Sequence, residues 1–227
     1  MEIRAVSFDL GHTLAFPRYS WSQNILADVG IGVSRGDLEE TESKLRPWFD
    51  DLVLAEGVSD ELWQRYYIRF FAEMGAPAEA IDGLLRASHH KHAEGVGLWT
   101  EPAPGAGEVL ETLSGSDLQV VCVSNNDGRL PAMVEYLGWS DYFDLLVDSG
   151  AIGFSKPDPR IFLYALEQLG RKPAELVHVG DYYSVDVVGA RRAGAVGVLY
   201  DPLGSYGSVD CTVIAELNEV FDLVNGN

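Results

Sequence analysis

Short apolar runs alternate with helical stretches through residues 105–224, and that alternation leaves the chain few architectures. Residues 118–123, 145–148, 176–179, 196–200 and 212–214 are rich in Val, Leu and Ile and too short for buried helices, so they read as strands. Residues 105–113, 130–137, 159–169, 185–193 and 217–224 carry helical spacing between or after them. Residues 3–8 add a strand at the N-terminus. Strands separated by helices run mostly parallel and are covered on both faces. The expected fold is α/β, a Rossmann-like, doubly wound parallel sheet.

Residues 21–94 break the alternation with helical periodicity and no convincing strand. Ser34-Arg35-Gly36-Asp37 resembles a capping box opening a helix toward residue 55. Ser59 caps a second helix, in which Leu62, Tyr66, Phe70 and Met74 recur at helical spacing. Pro77 suits the first turn of a third, ending near Gly95. The expected organisation is a discontinuous core of residues 1–16 and 96–227, with a helical domain of residues 17–95 inserted.

Composition narrows the class. With 47% apolar and 22% charged residues the chain is ordinary for a globular protein. It has no apolar run of the roughly 18 residues that suggest a membrane span. Met1 leads directly into the first strand, leaving no room for a signal peptide, so the expected location is the cytoplasm. A formal net charge of −19 argues against nucleic acid or an anionic membrane as partner. Lysine occurs only at Lys44, Lys91, Lys156 and Lys172, so each is informative. Cys122 and Cys211 fall in or beside strands and read as small buried hydrophobes in a reducing compartment.

Open α/β sheets bind ligands beyond the carboxyl ends of their strands, and four such ends carry polar chemistry. The first strand runs into Asp9-Leu10-Gly11-His12-Thr13, where Asp9 is a candidate nucleophile or metal ligand by position. A second ends in Ser124-Asn125-Asn126-Asp127-Gly128, a natural anion cradle of hydroxyl, amide and backbone N–H groups, or else a helix cap. Lys156, rigidified by Pro157, can neutralise a phosphoryl oxygen or a carboxylate, or be a solvated surface lysine. Asp181 ends a further strand and Asp186 follows at a helix start, hard oxygen ligands suited to Mg²⁺. Asp186 also suits the first turn of its helix as a plain structural acid.

Together, Asp9-x-Gly11-x-Thr13, Ser124, Lys156-Pro157-Asp158 and Gly180-Asp181-x4-Asp186 resemble the haloacid dehalogenase-like hydrolase superfamily. The resemblance covers the whole core, and the helical insert matches the place of this superfamily's C1-type cap. It implies that Asp9 attacks phosphorus to form an aspartyl-phosphate. Thr13 and Ser124, with Asn125 beside it, would help hold the phosphoryl group, and Lys156 would steady Asp9. Mg²⁺ would bind to Asp9, the Gly11 carbonyl and Asp181, with Asp186 ligating directly or through water. The expected substrate is a small phosphorylated metabolite.

Gly11 departs from the pattern, since phosphatases of this superfamily usually carry a second Asp there as general acid–base. Such assistance is worth roughly 10²–10⁴ in rate. His12 is a substitute by adjacency, although it is one residue out of step, and Tyr19 or a water is another. Two alternatives compete with the phosphatase: a 2-haloacid dehalogenase, which also lacks that Asp, and a catalytically impaired phosphate-binding regulator. The His89-His90-Lys91-His92 tract suits a helix C-terminus better than a metal site. Trp21, Trp48, Trp63 and the Tyr66-Tyr67 pair read as core of the insert, and Arg18 as a substrate contact.

Overall fold

Parallel pairing places β1 (Ala5–Phe8) in the middle of a six-stranded sheet in the computed structural model, which describes residues 2–225. On one side lie β4 (Gln119–Ser124) and then β5 (Leu145–Asp148). On the other lie β6 (Leu176–Gly180), β7 (Val196–Tyr200) and β8 (Thr212–Ile214). The chain leaves β1 toward one side and later returns to its other side. The carboxyl ends of β1, β4 and β6 therefore sit together at the switch point where such sheets bind ligands.

Strand alternation sorts the core into two layers. Val6, Phe8, Val120 and Cys122 face a cluster with Val109, Leu110 and Leu113 of α5 (Ala106–Ser114) and Met133 of α6 (Leu130–Tyr136). Ala5, Val121 and Val123 face the opposite cluster with Ile161, Phe162 and Ala165 of α8 (Pro159–Leu169) and Ala190 of α9 (Val188–Arg192). Both faces being covered, all four residues of β1 are buried. α10 (Val220–Asn225) closes the C-terminal side.

Four helices form the insert: α1 (Tyr19–Ala27), α2 (Arg35–Glu56), α3 (Asp60–Glu73) and α4 (Ala78–Ala93). The Ser34–Asp37 capping box opens α2 and the Ser59 hydroxyl caps α3. Pro77 lies just before α4, not in its first turn. Leu38, Leu45 and Phe49 of α2 pack with Leu62, Tyr66 and Phe70 of α3 in a separate apolar cluster. Tyr182 and Val185, which follow β6, join that cluster and tie it to the sheet.

Three local features depart from expectation. Where the chain enters and leaves the insert, β2 (Ala15–Pro17) pairs antiparallel with β3 (Trp99–Pro102). Both strands are very short and each ends in proline, so neither shows the alternating run by which strands are read. A four-residue helix, α7 (Ser149–Ile152), follows β5, capped by Asp148. The expected helix 185–193 starts instead as a π-helical turn, Tyr183–Val187, before becoming α9. Cys122 is buried in β4, whereas Cys211 is only half-buried beside β8. No helix among the described residues is long and apolar enough to cross a membrane.

Candidate active site

Asp9, Ser124, Asn125, Lys156, Asp181 and Asp186 all line one cavity of about 570 Å³ at the carboxyl ends of β1, β4 and β6. Its lining is also aromatic, with Trp63, Tyr66, Tyr67 and Phe70 of α3, and with Trp21 and Trp99. Lys156 is not a surface lysine: it is fully buried, with Nζ 2.8 Å from Asp9 Oδ1 and 2.7 Å from Asp186 Oδ1. Burial alone would strip its proton, but the two carboxylates outweigh that and hold its pKa above the ordinary lysine value. Asn125 clamps this loop from β4. Its Nδ2 donates to the Lys156 carbonyl at 2.9 Å, and its Oδ1 accepts from the Lys156 N–H at 2.7 Å. Asn125 thus positions the lysine.

The oxygens of Asp186 are committed. Oδ1 meets both Lys156 and His178 Nε2 (3.1 Å), and Oδ2 accepts from the Tyr182 N–H at 3.0 Å. Burial would raise this carboxyl, but Lys156 and the His178 bond keep it well below the usual carboxylate range. Gly180 makes the packing feasible, because a Cβ there would lie 2.2 Å from Asp186 Cγ. His178 is a site residue that sequence reasoning missed. It is fully buried, bonded through Nδ1 to Ser7 Oγ at 2.8 Å. Ser7 and His178 are register partners on β1 and β6, and two polar residues in apolar strands are the signal that could have found them.

Asp9, Asp181 and Asp186 each bring one oxygen within 4.8 Å of the others. Asp9 Oδ1 faces Lys156 without hydrogen-bond geometry, and Asp181 Oδ2 has no hydrogen-bond partner among the described residues. Burial pushes the Asp181 carboxyl well up, partly offset by Arg46, whose Nη2 lies 3.6 Å from its Oδ2. Burial likewise raises Asp9, against the pull of Lys156. Two buried, unsatisfied carboxylate oxygens beside one another suit a divalent cation, since Mg²⁺ takes one or two carboxylates and keeps waters. Asp186 already accepts three hydrogen bonds, so Asp9 and Asp181 offer the freer oxygens for direct ligation.

Gly11 packs beside an aromatic ring. A Cβ there would rest in ordinary contact with the Trp99 indole at 3.7 Å, so the position has room for a side chain that runs past the ring. Gly11→Asp is therefore expected to fold with a Tm within a few degrees of wild type. Faster turnover of alkyl phosphates by the variant would show that an acid at position 11 was limiting, and unchanged turnover that the acid is supplied elsewhere. His12 adopts a left-handed backbone (φ 51°) and stacks edge-on against Trp99, centroids 4.5 Å apart. Burial holds its imidazole well below its usual pKa, hence neutral at pH 7 and a poor acid. Thr13 is buried with its hydroxyl unpartnered among the described residues, and it is not among the cavity-lining residues.

α2 contributes groups that sequence reasoning missed. Glu42, Arg46 and Asp50 share one face of the helix and point at the core. Glu42 Oε2 accepts from the Tyr19 hydroxyl at 3.0 Å and lies 3.7 Å from His12 Nδ1. Asp50 accepts from the N–H groups of Tyr183 (3.1 Å) and Ser184 (2.8 Å) and from the hydroxyls of Ser184 and Tyr206. A signal exists in the chain: an acid and an arginine sit between Leu38, Leu45 and Phe49 on the apolar stripe. Arg18 bonds the Tyr136 hydroxyl and does not line the cavity. His89 and His92 line it, while His90 pairs with Glu94 outside. Trp48 stacks under Arg69.

The fold agrees with the comparisons. The family profile of haloacid dehalogenase-like hydrolase matches residues 3–194. A haloacid dehalogenase-like hydrolase domain-containing protein 3 of Xenopus laevis is 28% identical, over 89% of this chain and 86% of its own. A phosphoglycolate phosphatase of Chromobacterium violaceum is 30% identical over 98% and 96%. A pyrimidine 5'-nucleotidase of Escherichia coli is 38% identical over 83% and 82%. Among solved structures, a magnesium-bound hydrolase of this family from Bacillus subtilis superposes with TM-score 0.70 at 17% identity, over 99% and 100% of the chains. A 2-haloacid dehalogenase from Pseudomonas syringae gives 0.58 at 25% identity, over 99% of each. The profile spans most of the chain, and the chain belongs to the haloacid dehalogenase-like hydrolase family.

Proposed function

We propose that this hydrolase is a Mg²⁺-dependent phosphatase acting on a small phosphorylated metabolite through an aspartyl-phosphate on Asp9. The observation that carries this reading is Asp9 held against the buried Lys156 at the floor of a cavity, beside the unsatisfied Oδ2 of Asp181. An Asp9 oxygen attacks phosphorus as the bond to the leaving oxygen breaks, and water then hydrolyses the aspartyl-phosphate. Lys156 neutralises Asp9 and the charge on the transferring group, and Ser124 holds a phosphoryl oxygen. Asp9, the Gly11 carbonyl and Asp181, with Asp186 through water, would hold Mg²⁺, which would supply the positive charge a dianionic phosphate needs to approach Asp9.

Residues 17–95 act in this reading as the cap that selects the substrate. Its aromatic wall favours a phosphate ester carrying a planar or apolar group over one as small as a two-carbon acid. The expected result is hydrolysis of 4-nitrophenyl phosphate in Mg²⁺ that stops on chelation. No turnover of this ester or of a phosphorylated-metabolite panel would overturn the reading. Arg46 favours a second reading, because its guanidinium sits at the Asp181 oxygen a metal would use. There Asp9 displaces halide from carbon without metal, and chelator-insensitive halide release from a 2-haloacid would establish it.

A further inference from the structure

We propose that Glu42, delivered from α2, is the general acid–base of this site, standing in for the acid absent at Gly11. This rests on the phosphatase reading. Glu42 lines the same cavity as Asp9, and its carboxyl reaches the turn after β1, 3.7 Å from His12, three residues from the nucleophile. The Tyr19 hydroxyl fixes Oε2, leaving Oε1 without a hydrogen bond among the described residues. Residue 11 is glycine, so the turn itself carries no carboxyl that could supply the proton.

A docking role for Glu42 explains less. Asp50 already fastens α2 to the core with four hydrogen bonds, while Glu42 makes none to the core. An acid kept only for structure would gain nothing from facing a cavity at the cost of burial. The groups around it are Tyr19 from α1, His12 from the β1 turn, Arg35, Glu39 and Arg46 on α2, and Tyr66 and Tyr67 on α3. Burial raises its carboxyl to about 7, against the lowering pull of Arg46 and the Tyr19 bond. A substantial protonated fraction at neutral pH is what a leaving-group acid needs.

The Glu42 proton passes to the leaving oxygen as its bond to phosphorus breaks and the Asp9–phosphorus bond forms. The resulting carboxylate takes a proton from the water that hydrolyses the aspartyl-phosphate, restoring both groups. Phenolate, whose conjugate acid has a pKa of about 10, needs protonation far more than 4-nitrophenolate does.

Wild type, Glu42→Gln and Tyr19→Phe are assayed with Mg²⁺ on phenyl phosphate and 4-nitrophenyl phosphate. Glu42→Gln is expected to lower kcat/KM about 10²-fold or more on phenyl phosphate and less than about five-fold on the nitro ester. Wild-type kcat/KM on phenyl phosphate should fall as pH rises through about 7, because the acid form is lost. That limb disappears in Glu42→Gln and moves to higher pH in Tyr19→Phe, which loses a bond favouring the carboxylate. Equal losses on both esters, an unchanged ratio, or a retained limb in Glu42→Gln would overturn the proposal. If turnover stays Asp9-dependent while Glu42→Gln leaves the ratio unchanged, the phosphatase reading stands and this inference falls. Absence of any Asp9-dependent turnover removes both.

Discussion

Asp9→Asn is expected to lower turnover of 4-nitrophenyl phosphate by roughly 10⁵-fold or more, the scale on which removing a covalent nucleophile acts. Asparagine keeps the volume of the side chain, but a neutral amide nitrogen or oxygen cannot form the acyl-phosphate. No neighbour can take over. Asp186 spends its oxygens on Lys156, His178 and the Tyr182 N–H, and Asp181 faces Arg46. Lys156 keeps Asp186 as partner in the variant, so the local structure has no reason to collapse.

The stability readout separates lost chemistry from lost folding. Burial raises the Asp9 carboxyl above its unfolded value near 3.8. A raised carboxyl is penalised as an anion: its contribution is fully present below the unfolded pKa and lost as pH rises through the folded one. The neutral amide of Asp9→Asn carries no such penalty, so the Tm of this variant at pH 7 to 8 should equal or exceed that of wild type. Acid-quenched wild type turning over substrate should carry a hydroxylamine-labile phosphoryl group, and the variant none. A variant retaining a tenth of wild-type turnover would exclude Asp9 as nucleophile.

Which parts of this site were legible in the chain follows from how each residue is held. Asp9, Ser124 and Asp181 end or follow short apolar strands, and parallel topology brings strand ends together, so local pattern marked them. Lys156 follows α7, and the sequence left open whether it is a loop cation at the ligand edge or a solvated surface lysine. Only the fold reveals that its ammonium lies buried between two carboxylates. Glu42 and Arg46 were hidden because a charged pair at i, i+4 on a helix is normally a solvated face. Their burial depends on where α2 docks, a tertiary fact. His178 was hidden for a related reason, since its partner Ser7 is 171 residues away. The β2–β3 pair escaped because Ala15–Pro17 and Trp99–Pro102 each end in proline and neither is a run of β-branched residues.

Lys156→Met should be the most damaging single change to stability and should also cut turnover roughly 10³-fold, as loss of a cation at the transferring phosphoryl group does. Methionine fills similar space but leaves Asp9 and Asp186 buried without their shared counter-charge. Breaking a buried pair from one side costs about 3–5 kcal/mol, and at 2–4 °C per kcal/mol for a chain this size the Tm falls by roughly 6–20 °C. The pH dependence has a definite sign. In wild type the raised Lys156 contributes stability below its unfolded value near 10.5 and loses it above. The depressed Asp186 contributes above 3.8 and loses it as pH falls through its lower folded value. Between these limits the wild-type pairing is intact. Without the ammonium both carboxyls rise and protonate more readily, so the deficit should be largest at pH 8 and shrink toward pH 5. Lys156→Arg should not rescue activity, because a planar guanidinium cannot replace a compact ammonium in a fully buried slot. A Lys156→Met variant melting within two degrees of wild type at pH 8 would mean that the two carboxylates find another counter-charge, and Arg46 would be the group to remove next.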